Sequence, residues 1–177
     1  MAKPVTIRQA TSEADINAVR TLCWAYRDFL LNYAPAERAM TETFYPQAKY
    51  ALLMDDLAQI HARPSGVILM AERDGEVIGC GMSHRLSDTS SEIKRLYVTD
   101  AARGTGAGRL LCEGLIAQAR NDGFVQVLLD TSKSFAPARA LYSALGFQQR
   151  GPYQPLPALA EDLVVFYELS LTAAPDA

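Results

Sequence analysis

The segment Arg103-Gly104-Thr105-Gly106-Ala107-Gly108-Arg109 is the feature that most limits what this chain can fold into. It places three glycines at alternate positions between a β-rich run that ends at Val98 and an amphipathic stretch that continues to about Asn121. Glycines at a helix start leave backbone N–H groups uncovered, and these amides, together with the helix dipole, bind phosphate oxygens. The segment therefore predicts a strand, an anion-binding turn and a helix in direct succession.

The charges around this turn also favour an anion site. Arg103 precedes the predicted helix and Arg109 lies in its first turn, whereas the first acidic residue is Glu113. A helix start ordinarily favours Asp or Glu, so an external anion would account for the arginines, although a glycine-rich turn with solvated arginines is the open alternative. The Walker pattern fails because no Gly-Lys-Ser/Thr follows, and the dinucleotide fingerprint fails because Arg109 stands where its third glycine should fall.

The spacing of apolar residues predicts an α/β chain in which a meander precedes alternating helices and strands. Before the turn we predict a strand over Val5–Gln9 and two helices, over Thr11 to Pro35 and Tyr45–His61. Three antiparallel strands follow, over Val67–Glu72, Val77–Leu86 and Glu92–Val98. After it we predict a helix over Thr105–Asn121, a strand over Phe124–Asp130 and a helix over Phe135–Leu145. Two strands follow, one from Phe147 onward and one over Leu163–Leu169.

Composition restricts the class of protein. At 177 residues, with 49% hydrophobic and 21% charged residues, we expect a single domain over residues 1–177 that builds its own core. The net charge of −3 gives no overall attraction to nucleic acid or anionic lipid. Three scattered cysteines and two histidines indicate neither a disulfide framework nor a metal site, and no apolar run is long enough to span a bilayer. We expect a cytoplasmic protein that binds neither nucleic acid nor a membrane.

Two more blocks accompany the turn Arg103-x-x-Gly106-x-Gly108: the strand Glu92–Val98 before it, and Ala138-x-x-x-Tyr142-x-x-x-Gly146-Phe147 after it. Together, over about residues 91–148, they resemble the GNAT superfamily of N-acetyltransferases. The resemblance implies an α/β (α+β) fold with a mixed, mostly antiparallel central sheet of six to seven strands and helices on both faces. It also implies that two central strands splay apart to form a slot for coenzyme A.

The resemblance implies acetyl-CoA as a co-substrate and no metal. The amides of the turn would hold its pyrophosphate, the end of the Glu92–Val98 strand would pair with its pantetheine arm, and Thr131–Ala138 would form one wall. The implied cofactor-binding residues are Leu96, Tyr97, Val98, Arg103, Gly104, Thr105, Gly106, Ala107, Gly108, Arg109 and Ala138. The chain departs from the family at Phe135, where an asparagine is often found.

Two residues are catalytic candidates by the same resemblance. An alkylamine has a pKa of about 10.4, so it must lose a proton before it can attack a thioester. Glu92 matches the position where some family members keep a glutamate that accepts this proton directly or through water, and Tyr142 matches the proton donor to the leaving thiolate. From the residues alone, Glu92 could equally be a strand carboxylate paired with Lys94 or Arg95, and Tyr142 a core tyrosine.

We therefore predict an N-acetyltransferase that acts on a primary amine of a small or amino-acid-like acceptor by direct attack in a ternary complex. A non-catalytic acyl-CoA-binding or sensing module is the alternative, and a homodimer is possible. His61 and His84 are far apart in sequence and are expected to be surface or packed residues rather than bases. The segment Arg150–Glu161 is either a lip over the acceptor pocket or an ordinary surface loop.

Overall fold

A computed structural model describes residues 3–172. Its strands are β1 (Thr6–Gln9), β2 (Gly66–Arg73), β3 (Glu76–Arg85), β4 (Ser90–Val98), β5 (Gln126–Ser132), β6 (Gln148–Arg150) and β7 (Val164–Ser170). They form one seven-stranded sheet in the order β1-β2-β3-β4-β5-β7-β6, in which β4 and β5 are parallel and all other neighbours are antiparallel. The predicted mixed, mostly antiparallel sheet is confirmed.

Six helices accompany the sheet: α1 (Glu13–Tyr33), α2 (Pro35–Phe44), α3 (Gln47–Asp55), α4 (Leu57–Ile60), α5 (Ala107–Asn121) and α6 (Ala136–Ala144). Short 3-10 turns lie at Asp100–Ala102 and Ala158–Ala160. Within residues 3–172, no helix is both long and apolar enough to cross a bilayer.

The helices differ from the prediction at two places. The sequence analysis assigned no helix between Pro35 and Tyr45, but α2 begins at Pro35 itself, because a proline at the first helical position loses no hydrogen bond. The single helix predicted over Tyr45–His61 is two helices, α3 and α4, separated at Asp56.

The helices cover both faces of the sheet. One buried cluster joins α5 and α6 to strand residues that include Ile93, Val127 and Leu129. A second cluster joins α1, α3 and α4 to β2 and β3. Because side chains alternate along a strand, Glu92 and Asp130 face the second group of helices.

The sheet opens between β4 and β5. These strands pair through three residues each, Ser90 to Glu92 with Gln126 to Leu128, and they separate beyond Glu92. On its other side β4 stays paired with β3, where the register shifts opposite Gly81 and Arg95 adopts a φ of +50°. This irregularity is a β-bulge, which bends a strand. The predicted splay of the two central strands is thus present, and it begins at Glu92.

Candidate active site

The glycine turn connects the end of β4 to α5. Gly104 and Gly106 have φ values of +79° and +85°, so both adopt the left-handed conformation that glycine allows without strain. Gly106 is the N-cap of α5 and has no side chain to cap the helix, the Thr105 hydroxyl oxygen accepts from the Ala107 amide at 3.4 Å, and the first turn of α5 holds no acidic residue. Within residues 3–172, the amides of Gly108 and Arg109 have no recorded acceptor. The turn therefore presents free donors at a positive helix end, which suits a phosphate group.

The two arginines of the turn are exposed and have internal partners. Arg103 lies 2.7 Å from Asp100 and Arg109 lies 2.9 Å from Glu113, with about half of each guanidinium side chain exposed (53% and 47%). Exposed ion pairs of this kind contribute little to stability. Both side chains therefore remain available to an anion bound at the turn.

Gly108 lies where the start of α5 meets α6 and the end of β4. A Cβ atom built on Gly108 would lie 3.8 Å from both the Leu141 side chain of α6 and the Val98 side chain of β4. Leu96, Tyr97 and Val98 lie beyond the last residue of β4 that pairs with β5. The strand edge that they present to the slot can therefore pair with an extended ligand. Ala138 lies in the first turn of α6 and packs against the α5 cluster.

Glu92 lies at the point where the strands separate and is 2% exposed. Its Oε1 accepts hydrogen bonds from Lys94 Nζ at 2.8 Å and from the Tyr153 hydroxyl at 2.8 Å, and its Oε2 lies 3.0 Å from His84 Nε2. Burial alone would raise the pKa of Glu92, but the His84 hydrogen bond and the Lys94 charge lower it to about 2. Glu92 is therefore an anion at neutral pH, and a weak base.

Lys94 spans the splay. Its ammonium lies between Glu92 on β4 and Asp130 on β5, at 3.1 Å from Asp130 Oδ2. Burial opposes the charge of Lys94, but the two carboxylates raise its pKa above the ordinary value. Tyr153 and Gln154 also approach Asp130 Oδ2, at 3.5 and 3.3 Å. These contacts place part of the predicted lip segment over the acidic side of the slot.

Tyr142 lies on the opposite face of the sheet from Glu92. Its ring packs 5.8 Å from that of Phe147 and 5.9 Å from that of Tyr167, within the α5 cluster. Burial raises the pKa of Tyr142, and the Asp130 carboxylate adds to this effect. The phenol therefore stays protonated at neutral pH. The two catalytic candidates thus lie on opposite faces of the sheet.

Phe135 takes part in an aromatic cluster with residues of α1 and β4. Its ring lies 4.8 Å from Tyr33 and 5.8 Å from Phe29 of α1, and Phe29 lies 6.3 Å from Tyr97 of β4. The Arg103 guanidinium lies 5.0 Å above Phe29. Where the family often has an asparagine, this chain therefore connects α1 to the β5–α6 loop by apolar contact.

The two histidines are spatial neighbours despite their separation in sequence. Their rings lie 5.6 Å apart, and His61 is buried, with Nδ1 2.9 Å from the Ser83 carbonyl oxygen. The expectation that His84 is a surface or packed residue missed its contact with Glu92, which arises because the two residues are paired across β3 and β4. Sequence reasoning also gave no role to Asp130. Within residues 3–172, no three His, Cys, Asp or Glu side chains are grouped so as to hold a metal ion.

Comparison with known proteins identifies relatives of this arrangement. The model of the acetyltransferase (GNAT) family matches residues 30–147. An IAA acetyltransferase of Azospirillum brasilense is 39% identical over 112 residues, which are 63% of this chain and 71% of that protein. The uncharacterized N-acetyltransferase YjgM of Escherichia coli is 34% identical over 98 residues, 54% of this chain and 59% of that protein. The chain thus spans less than two thirds of YjgM.

Solved structures show the same fold. An acetyltransferase from Streptococcus agalactiae has a TM-score of 0.73 at 16% identity, covering 96% of this chain and 99% of that one. An acetyltransferase from Salmonella typhimurium, solved with its cofactor acetyl-CoA, has a TM-score of 0.69 at 24% identity, covering 99% of both chains. At these identities, the likeness establishes the shared architecture.

Proposed function

The chain belongs to the GNAT family of acetyltransferases, and from this premise we propose that it transfers an acetyl group from acetyl-CoA to a primary amine of a small acceptor. The acceptor attacks directly in a ternary complex, so no covalent enzyme intermediate is needed. Membership of the family makes the chain an acyltransferase. We propose the donor, the acceptor class and the mechanism in addition.

The splay that begins at Glu92 is the observation that carries the proposal. Such a splay would connect the free amides at the start of α5, the unpaired edge of β4 and the acidic cluster on the other face in one path. A phosphate-bearing donor with a long thin arm fits such a path, because its charged end and its reactive end are held on different elements. The uncapped helix end suits the pyrophosphate, and the strand edge suits the amide-bearing arm.

In this assignment, the free amides of Gly108 and Arg109 are the first phosphate donors. The turn Gly104, Thr105, Gly106 and Ala107 surrounds the phosphates, with the Arg103 and Arg109 side chains beside them. Leu96, Tyr97 and Val98 pair with the arm, and Ala138 borders it. These contacts bind the donor through groups that do not react. The acidic cluster therefore remains free to act on the acceptor. The apolar contact at Phe135 replaces a polar side chain of the slot wall.

Tyr142 and Glu92 serve the two ends of the reaction. The thiolate released from coenzyme A has a pKa near 8.5, by analogy with cysteine. The raised pKa of Tyr142 keeps its proton in place, so the phenol stabilises the leaving sulfur chiefly as a hydrogen-bond donor. Glu92 holds the acidic cluster together on the acceptor face.

The test is calorimetric titration of acetyl-CoA into the purified protein, followed by measurement of thiol release across a panel of amines. The panel contains alkylamines, diamines and amino acids, with thiol release in the absence of amine as the blank. We expect micromolar binding and amine-dependent thiol release. Binding without release for every amine would refute the transferase and favour a sensing module, whereas absence of binding would refute both.

A further inference from the structure

The two carboxylates of the slot differ in their free oxygen atoms. Both oxygens of Glu92 have partners: Oε1 accepts from Lys94 and Tyr153, and Oε2 faces His84. In Asp130, all three recorded contacts, from Lys94, Tyr153 and Gln154, reach Oδ2. Within residues 3–172, Asp130 Oδ1 has no recorded partner, and 28% of the side chain is exposed. Asp130 therefore presents the accessible carboxylate oxygen.

The position of Asp130 places this oxygen at the slot itself. Leu128 is the last residue of β5 that pairs with β4, and Asp130 is the next residue on the same face. It lies across the opening from Lys94, which it contacts at 3.1 Å. Asp130 thus borders the opening at the same level as the strand edge proposed to hold the cofactor arm.

The other groups of the cluster are poorly suited to accept a proton. The two carboxylates keep Lys94 charged, so it has no lone pair to offer. Burial raises the pKa of Tyr153, and the charges of Asp130 and Glu92 raise it further, so Tyr153 remains a donor. His84 directs Nε2 at Glu92, and its buried Nδ1 has no partner in the described part of the chain. Among titratable groups, Lys94 and Tyr153 contact Asp130 directly, Glu92 contacts both of these, and the charge of Asp130 also raises the pKa of Tyr26 and of Tyr142.

The charge of the cluster also favours a cationic acceptor beside Asp130. Two carboxylates, Glu92 and Asp130, share one ammonium, that of Lys94, and the remaining partners Tyr153 and Gln154 are neutral. Apart from His84, the cluster carries one unbalanced negative charge. A positively charged nitrogen that enters the slot would balance it.

We propose that Asp130 is a catalytic residue whose Oδ1 accepts the proton that the acceptor amine loses, and that Glu92 is a positioning residue. The proposal rests on the proposed acetyl transfer. The acceptor enters as an ammonium ion and transfers one proton from nitrogen to Asp130 Oδ1, which frees the lone pair. The lone pair forms the C–N bond to the thioester carbonyl carbon as the C–S bond breaks, and the sulfur leaves with the C–S electron pair and accepts a hydrogen bond from Tyr142. The nitrogen loses its second proton, the thiolate takes up one proton through solvent, and Asp130 returns its proton to solvent, so the products are the amide, the thiol and one released proton.

The test compares D130N with E92Q by measuring kcat against pH at saturating amine, with acetyl-CoA affinity measured separately by calorimetry. D88N is the matched control, because it also replaces an aspartate with asparagine, but at a fully exposed site in the β3–β4 turn. We expect D130N to lower kcat by about 10²- to 10⁴-fold, the usual contribution of a general base. We expect its acetyl-CoA affinity to stay within about twofold of wild type, and the acidic limb of its kcat profile to disappear, while E92Q retains that limb.

A purely structural role for Asp130 is tested with D130A in added formate. A small carboxylate that replaces the missing proton acceptor should restore part of kcat in D130A and none in E92Q. Wild-type kcat in D130N, or loss of the acidic limb in E92Q alone, would overturn the role of Asp130 while leaving acetyl transfer intact. If the wild-type protein released no thiol with any amine, the proposed function itself would fail and the role of Asp130 with it.

Discussion

At the scale of single residues, Tyr142 combines a core environment with a place beside the slot. Its ring contributes to the α5 cluster, whereas its hydroxyl has no recorded hydrogen bond within residues 3–172. Removing that oxygen leaves no buried partner unsatisfied, so it should cost little stability. Packing therefore accounts for the ring of Tyr142, and the proposed catalytic role rests on its hydroxyl.

We predict that Y142F lowers kcat by about 10²-fold, because the leaving sulfur loses its hydrogen-bond donor. The melting temperature should stay within a few degrees of wild type. The control is Y167F, which removes a hydroxyl from the neighbouring buried ring, where it contacts Arg139 at 3.3 Å. Thiol-release kinetics on both variants measure the effect, and equal activity of Y142F and wild type would rule out the assignment.

The sequence predicted some residues of the proposed site and not others, for a physical reason. Glu92 and Tyr142 sit inside blocks with a fixed spacing, so a local pattern identifies them. Asp130 and His84 depend on strand register: His84 faces Glu92 because β3 pairs with β4, and Asp130 meets Lys94 because β5 runs parallel to β4. Register across strands is a long-range property that neighbouring residues do not encode.

At the scale of elements, the start and the end of α5 offer a matched pair of glycines. Gly106 before the helix and Gly123 after it have φ values of +85° and +81°, and neither has a heavy atom within 4 Å of a built Cβ. An alanine at either position carries the same left-handed strain, on the order of 1 kcal/mol. The two sites differ in whether an anion is expected.

We predict that G106A and G123A lose similar stability, but that only G106A weakens acetyl-CoA binding, by about tenfold or more. The added methyl group at Gly106 lies where phosphate oxygens would approach the amides. Chemical denaturation measures the first quantity and calorimetry the second. Equal affinities in the two variants would mean that the turn does not hold the pyrophosphate.

Sequence patterns predict some helix boundaries of this fold and not others. The α1 start was predictable because Ser12 and Asp15 form a capping box. The α2 helix was missed because Pro35 signals both the end of one helix and the start of the next. The break at Asp56 between α3 and α4 has no proline or glycine, so apolar spacing alone suggested one helix.

At the scale of the whole molecule, buried titratable groups make the fold sensitive to acid. His61 is 3% exposed, and burial lowers its pKa to about 4 from an ordinary 6.5. Between these values the unfolded chain binds more protons than the folded one, so stability falls as pH falls from 6.5 to 4. Glu92, with a pKa of about 2 in the fold, adds a further loss below about pH 4.5.

We predict that wild-type protein loses up to about 3 kcal/mol of unfolding free energy between pH 7 and 4 through His61. H61Q cannot take up this proton, so its stability should vary less over the same range, whatever its value at pH 7. Urea denaturation at pH 7, 5.5 and 4.5 measures both slopes. Parallel slopes for the two proteins would show that His61 is not responsible.

Because only three residue pairs join β4 to β5, the sheet consists of two blocks of strands with a short junction between them. On one side β1 to β4 form an antiparallel block, on the other β5, β7 and β6 form a second, and the chain passes between them once, through α5. Each block keeps its own hydrogen bonds, so the angle between the blocks can change at the cost of few of them. Amide exchange should therefore report two cooperative units whose boundary is the slot, and a ligand bound there would slow exchange in both units together.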